Sequence, residues 1–63
     1  MTLGSKIRTL RSLKNLTQEN MSELLNISTN AYGKIERGQT DLSHSRLEEI
    51  ASIFGVSIPE LVS

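Results

Sequence analysis

An all-α domain of five short helices is the fold class this sequence predicts, on three observations. Four times a Ser or Thr stands just after the first of two apolar residues spaced five apart. In that arrangement a hydroxyl caps a helix start while the apolar pair clips the incoming chain onto the first turn. Apolar residues recur at helical spacing, and no stretch alternates as a strand would. Glycine, or once asparagine, falls where the helices begun at those caps have to stop.

The first helix is expected over about 3–14, where Leu3, Ile7 and Leu10, with the neighbouring Leu13, follow the i, i+4, i+7 rhythm. Leu16-Thr17 paired with Met21 opens a second helix over about 18–25, whose apolar face is Met21, Leu24 and Leu25. Asn26 then supplies the turn, asparagine being the residue after glycine most tolerant of positive φ. Ile27-Ser28 paired with Tyr32 opens a third over about 29–37, closed by Gly38. Leu42-Ser43 with Leu47 opens a fourth over about 44–54, carrying Leu47, Ile50, Ala51 and Phe54 inward and closed by Gly55. Val56-Ser57 with Leu61 opens the last, over about 58–62. There Ser57 and Glu60 form a capping box, and Pro59 falls in the first turn, where its missing N–H costs nothing. These apolar residues are all read as core.

At 63 residues the chain is expected to be one domain, 1–63, with a core only just large enough to offset chain entropy, so that association with a second copy would help. It has no cysteine, which removes disulfide and thiolate-metal staples and fits a reducing compartment. The start Met-Thr-Leu-Gly-Ser-Lys lacks the apolar segment of a signal peptide, and no apolar run approaches membrane-spanning length. A cytoplasmic protein without membrane contact is therefore expected. The ending at Ser63 leaves room for a further C-terminal domain.

Seven basic and seven acidic residues give a net charge of zero, but they are not evenly spread. Before Thr17 stand Lys6, Arg8, Arg11 and Lys14 with no acid, whereas after Leu42 the acids Glu48, Glu49 and Glu60 outnumber the lone Arg46. One end is basic. The third helix is unusually polar on its outer face: Thr29, Asn30 and Lys34 point outward while Ala31 and Ile35 point back. Such a face suits the hydrogen-bonding edges of base pairs, so double-stranded DNA is the expected partner. With local rather than net positive charge, the expected non-specific affinity is weak and its salt dependence shallow.

Leu16-Thr17-Gln18-Glu19, then Leu24-Leu25-Asn26-Ile27-Ser28, then Lys34-Ile35-Glu36-Arg37-Gly38, and Ile50 through Ser57 with Leu61, together resemble the Cro/C1-type (XRE) helix-turn-helix family of phage and bacterial repressors, whose domains are lambda-repressor-like. The resemblance covers nearly the whole chain. It implies a five-helix domain whose second and third helices form the helix-turn-helix, and homodimeric binding to a palindromic operator. It also implies regulation of transcription, with repression the expected sense. By position, Gln18, Thr29, Asn30 and Lys34 resemble residues that contact bases. Gln18 can serve a phosphate as well. Asn30 is suited to adenine, Lys34 to guanine and Thr29 to a thymine methyl. Thr17, Ser28, Arg37 and Gln39 match places where relatives hold the DNA backbone, although Thr17 and Ser28 also serve as plain helix caps. Arg11 and Glu36 match a partly buried ion pair joining the first helix to the end of the third. Ile58, Leu61 and Val62 are a candidate dimer surface, or else close the core themselves.

Where relatives usually place Ala in the helix-turn-helix and Gly in its turn, this chain has Ser22 and Asn26, both small enough to fit. Gly33, inside a helix, costs about 1 kcal/mol relative to alanine. Close packing over it is the expected reason. No enzyme can be assembled from the remainder. His44 has no second histidine or cysteine to complete a zinc site, no nucleophile elbow or phosphate-cradling loop is present, and neither a metal nor a cofactor is expected. Two alternatives share the domain: an antitoxin or restriction-modification controller with a further protein partner, and an interaction module that never touches DNA.

Overall fold

Each helix of this protein opens on a Ser or Thr whose backbone is extended and whose hydroxyl accepts the backbone N–H three residues on. Thr2 accepts from Ser5, Thr17 from Asn20, Ser28 from Ala31, Ser43 from Arg46 and Ser57 from Glu60, at 3.0–3.2 Å. Each cap contributes about 1 kcal/mol by satisfying an otherwise orphaned donor. The computed structural model describes residues 2–63. It contains α1 (Leu3–Leu13), α2 (Gln18–Leu25), α3 (Thr29–Glu36), α4 (His44–Phe54) and α5 (Ile58–Val62), with no strand among the described residues. Helices α1 and α3 end one residue short of their expected limits, because Lys14 and Arg37 act as C-caps.

The stops share one device. Asn15, Asn26, Gly38 and Gly55 each take a left-handed conformation with φ between 58° and 73°. The following N–H then reaches back to the carbonyl five residues earlier: Leu16 to Arg11, Ile27 to Ser22, Gln39 to Lys34 and Val56 to Ala51. That is the Schellman closure, which satisfies the last free carbonyls of a helix. Thr2 was not anticipated as a cap because no apolar pair brackets it, and Asn15 was not anticipated in this role although, like Asn26 and Gly55, it directly precedes an apolar residue and a hydroxyl.

Ile7, Met21, Leu25, Tyr32, Ile35, Ile50, Ala51, Phe54 and Leu61 form the core, ringed by half-buried residues that include Leu10, Leu16, Ile27, Leu47 and Ile58. Helix α3 packs on α2 and α1, and α5 fastens α1 to α4. Two residues expected in the core are not there. Leu13 is 71% exposed and Leu24 57% exposed. At 100° per residue, Leu25 takes the inward position four after Met21, and Leu24 beside it is turned aside. Leu13 lies six positions after Ile7, well off the buried stripe. Leu61 is fully buried, so it cannot offer a dimer surface. Val62 is half exposed, and Ile58 packs against the core. Of the two readings of this segment, closing the core is the one that holds for Leu61.

A close approach fixes α3 against α1. A Cβ on Gly4 would collide with the Glu36 carbonyl oxygen and come within 2.9 Å of the Ile35 carbonyl oxygen. Only glycine lets the first turn of α1 sit on the end of α3 at this distance.

Candidate nucleic-acid interface

Helix α3 divides cleanly by burial. Tyr32, Ile35 and Glu36 are turned into the protein, whereas Thr29, Asn30 and Lys34 are exposed. A core on one side makes the other side rigid, which base recognition requires. The side chains of Asn30 and Lys34 make no hydrogen bond among the described residues, so the amide and the ammonium are free to meet a ligand. Thr29 is different. Its Oγ1 lies 3.2 Å from Ser22 Oγ, and Ser22 Oγ–H already donates to the Glu19 carbonyl at 2.8 Å. With the serine proton spent, Thr29 must be the donor in the pair, which leaves its methyl group as the part suited to an apolar contact. Ser22 thus ties α2 to α3 through a half-buried hydrogen bond that an alanine there would lack.

Beneath this face one carboxylate gathers four donors. Arg11 Nε donates to Glu36 Oε2 at 2.6 Å and an Arg11 Nη reaches Oε1 at 3.4 Å. The Tyr32 hydroxyl donates to Oε2 at 2.6 Å and Gln18 Nε2 to Oε1 at 3.0 Å. Arg11 also donates to the Leu16 carbonyl at 2.8 Å, pinning the turn before α2. Burial pushes the Glu36 carboxyl up, but the bonds from Arg11, Tyr32 and Gln18 outweigh it and hold the group below its ordinary range. Burial first, the hydrogen bond to Glu36 second and the Glu36 charge third push the Tyr32 phenol well above its ordinary value. The Arg11–Glu36 pair is present, but it is part of a larger group that also includes Gln18. Tyr32 and Glu36 stand four apart on one helix, a spacing that signals such a contact.

Gln18 sits at the first turn of α2 with its amide nitrogen committed inward to Glu36, so its carbonyl oxygen is the free end. Thr17 and Ser28 are engaged as caps at the N-termini of α2 and α3, beside backbone N–H groups that suit phosphate oxygens. Arg37 and Gln39, both exposed, are joined: Arg37 Nε donates to Gln39 Oε1 at 3.2 Å. A groove runs along α3 beside the loop to α4, lined by Asn30, Lys34, Thr40, Asp41, Ser43 and Arg46. The basic end contributes less free charge than its composition suggests, since Arg11 is spent on Glu36. Arg8 and Lys14 remain exposed. Among the described residues no three His, Cys, Asp or Glu side chains are grouped to hold a metal ion, and no helix is long and apolar enough to cross a membrane.

A helix-turn-helix family model matches residues 7–61. The chain is 38% identical over 58 residues to an uncharacterized HTH-type transcriptional regulator, YazB of Bacillus subtilis, covering 92% of this chain and 84% of YazB. It is 40% identical over its full length to the HTH-type transcriptional activator BcrR of Enterococcus faecalis, of which it spans 31%. Its structure is similar to that of the restriction-modification controller protein C.AhdI of Aeromonas hydrophila. The TM-score is 0.85 at 30% identity, covering 94% of this chain and 89% of that one.

Proposed function

This chain belongs to the helix-turn-helix family of transcriptional regulators, and on that premise we propose that it recognises its operator by laying the outer face of α3 in the DNA major groove. The observation that carries this reading is the pair Asn30 and Lys34, whose side chains are exposed and have no hydrogen-bond partner among the described residues, on a helix whose opposite face is core. Asn30 offers the donor and acceptor that match adenine, and Lys34 donates to guanine. The Thr29 methyl meets a thymine methyl. Gln18, held by Glu36, presents its carbonyl oxygen to a base donor. Thr17 and Ser28 lie beside this strip and serve the phosphates, with the N-terminal N–H groups of α2 and α3 adding partial positive charge.

We propose further that it binds a palindromic operator as a homodimer, which its dimensions allow. The protein measures 26 Å in its longest dimension, so two copies fit side by side with their α3 helices about 34 Å apart, one turn of DNA. Val62 and the exposed edge of Ile58 are the apolar groups at the end of the chain available to such a contact. Binding over a promoter would repress by excluding polymerase, in the cytoplasm where the DNA lies. The likeness to C.AhdI favours a narrower second reading, in which the regulated gene belongs to a restriction-modification system. An operator mapped away from any such gene would exclude it.

Replacing Asn30 and Lys34 together with alanine tests the main reading. The variant is expected to melt at the temperature of the unaltered protein and to lose sequence-specific binding in a gel-shift titration. Undiminished operator affinity in a folded variant would refute the role given to α3.

A further inference from the structure

The outer face of α3 has a gap in its middle. Helical spacing stacks residues 29, 33 and 37 one above another, and the central one is Gly33. Yet Gly33 is buried. The cover is the side chain of Arg37: a Cβ on Gly33 would find its three nearest neighbours in that guanidinium, with Nη1 at 3.0 Å, Cζ at 3.7 Å and Nη2 at 3.8 Å. Close packing at Gly33 was expected, and its source is an exposed arginine.

Arg37 keeps helical backbone angles at the C-cap, so its side chain leans toward the N-terminus as helical side chains do. The charge is thereby carried back about one turn, roughly 5.4 Å, from the end of α3 to the level between Thr29 and Lys34. There it takes the place of the side chain that Gly33 lacks. Gln39 accepts the Nε–H at 3.2 Å, which uses the side-on donor and fixes the plane of the group. What remains free is the end-on pair, Nη1 and Nη2.

We propose that Arg37, seated in the Gly33 notch and held by Gln39, is a specificity-determining residue that donates bidentately to the O6 and N7 of a guanine. The proposal rests on α3 lying in the major groove. At the helix end an arginine would face the phosphates that line the groove. At mid-helix it faces the strip on which Asn30 and Lys34 stand, where a planar fork matches the guanine edge. Gly33 and Gln39 are positioning residues for this contact.

Enrichment of bound sites from a random duplex pool tests it, run with the unaltered protein and with Asn30→Ala, Arg37→Ala, Arg37→Lys and Gly33→Ala, each checked by thermal melting. The unaltered protein should enrich one guanine per half-site whose replacement costs on the order of 10- to 100-fold in affinity. In Arg37→Ala that penalty should vanish while the other positions keep theirs. Arg37→Lys should keep only part of it, because lysine is a point donor. Gly33→Ala should melt no lower, since alanine favours the helix and the guanidinium it displaces ends a flexible side chain. It should nevertheless lose the same guanine preference. If Arg37→Ala instead weakens all sequences equally and lowers the salt slope by about 0.9, Arg37 is a phosphate anchor and the proposal fails. It fails too if Gly33→Ala leaves the guanine preference intact. A consensus that responds to Asn30→Ala but not to Arg37→Ala sinks this inference alone. No consensus from the unaltered protein would sink the operator reading with it.

Discussion

Arg11→Ala removes three donated hydrogen bonds at once: those to Glu36 Oε2 at 2.6 Å, to Glu36 Oε1 at 3.4 Å and to the Leu16 carbonyl at 2.8 Å. The side chains of Arg11 and Glu36 are 15% and 4% exposed, so water can replace little of what is lost. Breaking a buried pair from one side costs about 3–5 kcal/mol. Glu36 would keep the Tyr32 hydroxyl and the Gln18 amide, which places the expected loss near the bottom of that range, about 3 kcal/mol. A domain of this size has a total stability of about 3–9 kcal/mol, and each kcal/mol shifts its melting temperature by about 4–8 °C. The variant should therefore melt about 12–24 °C lower by circular dichroism at pH 7. Arg8→Ala, which removes an exposed side chain of the same helix, should change stability by no more than about 0.5 kcal/mol. The acid limb adds a second readout. The folded carboxyl of Glu36 titrates below its unfolded value of about 4.3, so its contribution is present above that pH and is lost as pH falls through the folded value. Without Arg11, burial of the carboxyl is less opposed and its folded value climbs. The gap between the two proteins should narrow below about pH 4. Equal melting temperatures for Arg11→Ala and Arg8→Ala, or a gap that ignores pH, would refute the reasoning.

Tyr32, raised by burial and by its hydrogen bond to Glu36, should remain protonated in the folded protein past its ordinary value of about 10. Its contribution to stability is full below about pH 10 and declines as pH rises toward the folded value. An ultraviolet phenolate signal appearing near pH 10 while the protein stays folded would contradict this. Gly4→Ala should cost about 1–3 kcal/mol, as overpacking does, because the contacts are backbone carbonyls that cannot move aside; urea unfolding measures it. Leu61→Ala should cost about 2–5 kcal/mol by opening the core, whereas Val62→Ala should leave monomer stability within about 0.5 kcal/mol. Similar losses for both would show that Leu61 is not the buried member of the pair.

The helix order was legible because four of the five starts are marked chemically by a hydroxyl beside an apolar pair, and all four stops by a glycine or an asparagine, residues that tolerate positive φ. Thr2 escaped because it lacks the apolar pair that gives the other starts away, whereas Asn15 carries the same signal as Asn26, an asparagine directly before an apolar residue and a hydroxyl, and could have been found by it. Leu13 and Leu24 show the limit of reading periodicity along short helices: neighbouring leucines both fit the pattern, and only packing decides which one turns inward. For Leu61 the sequence left core and dimer surface both open, and its place in the core is set by how α5 meets α1 and α4. At the interface the polar strip of α3 was readable from Asn30 and Lys34 alone. The joining of Gln18 to Glu36, the Thr29–Ser22 hydrogen bond and the seating of Arg37 over Gly33 were not, since each depends on side-chain directions that residue type leaves open. Gly4 is the clearest case: nothing around it in the chain marks a close approach, which is created by the carbonyls of Ile35 and Glu36 more than thirty residues away.

The central claim is that the exposed strip of α3 enters the groove of a specific duplex. Amide chemical shifts recorded while the protein is titrated with its selected operator at moderate salt test this most directly. The expected perturbations cluster at residues 17–20 and 28–39, with the side-chain amides of Gln18, Asn30 and Gln39 among them. Shifts confined to α4 and α5, or none in 28–39 at saturating DNA, would contradict it.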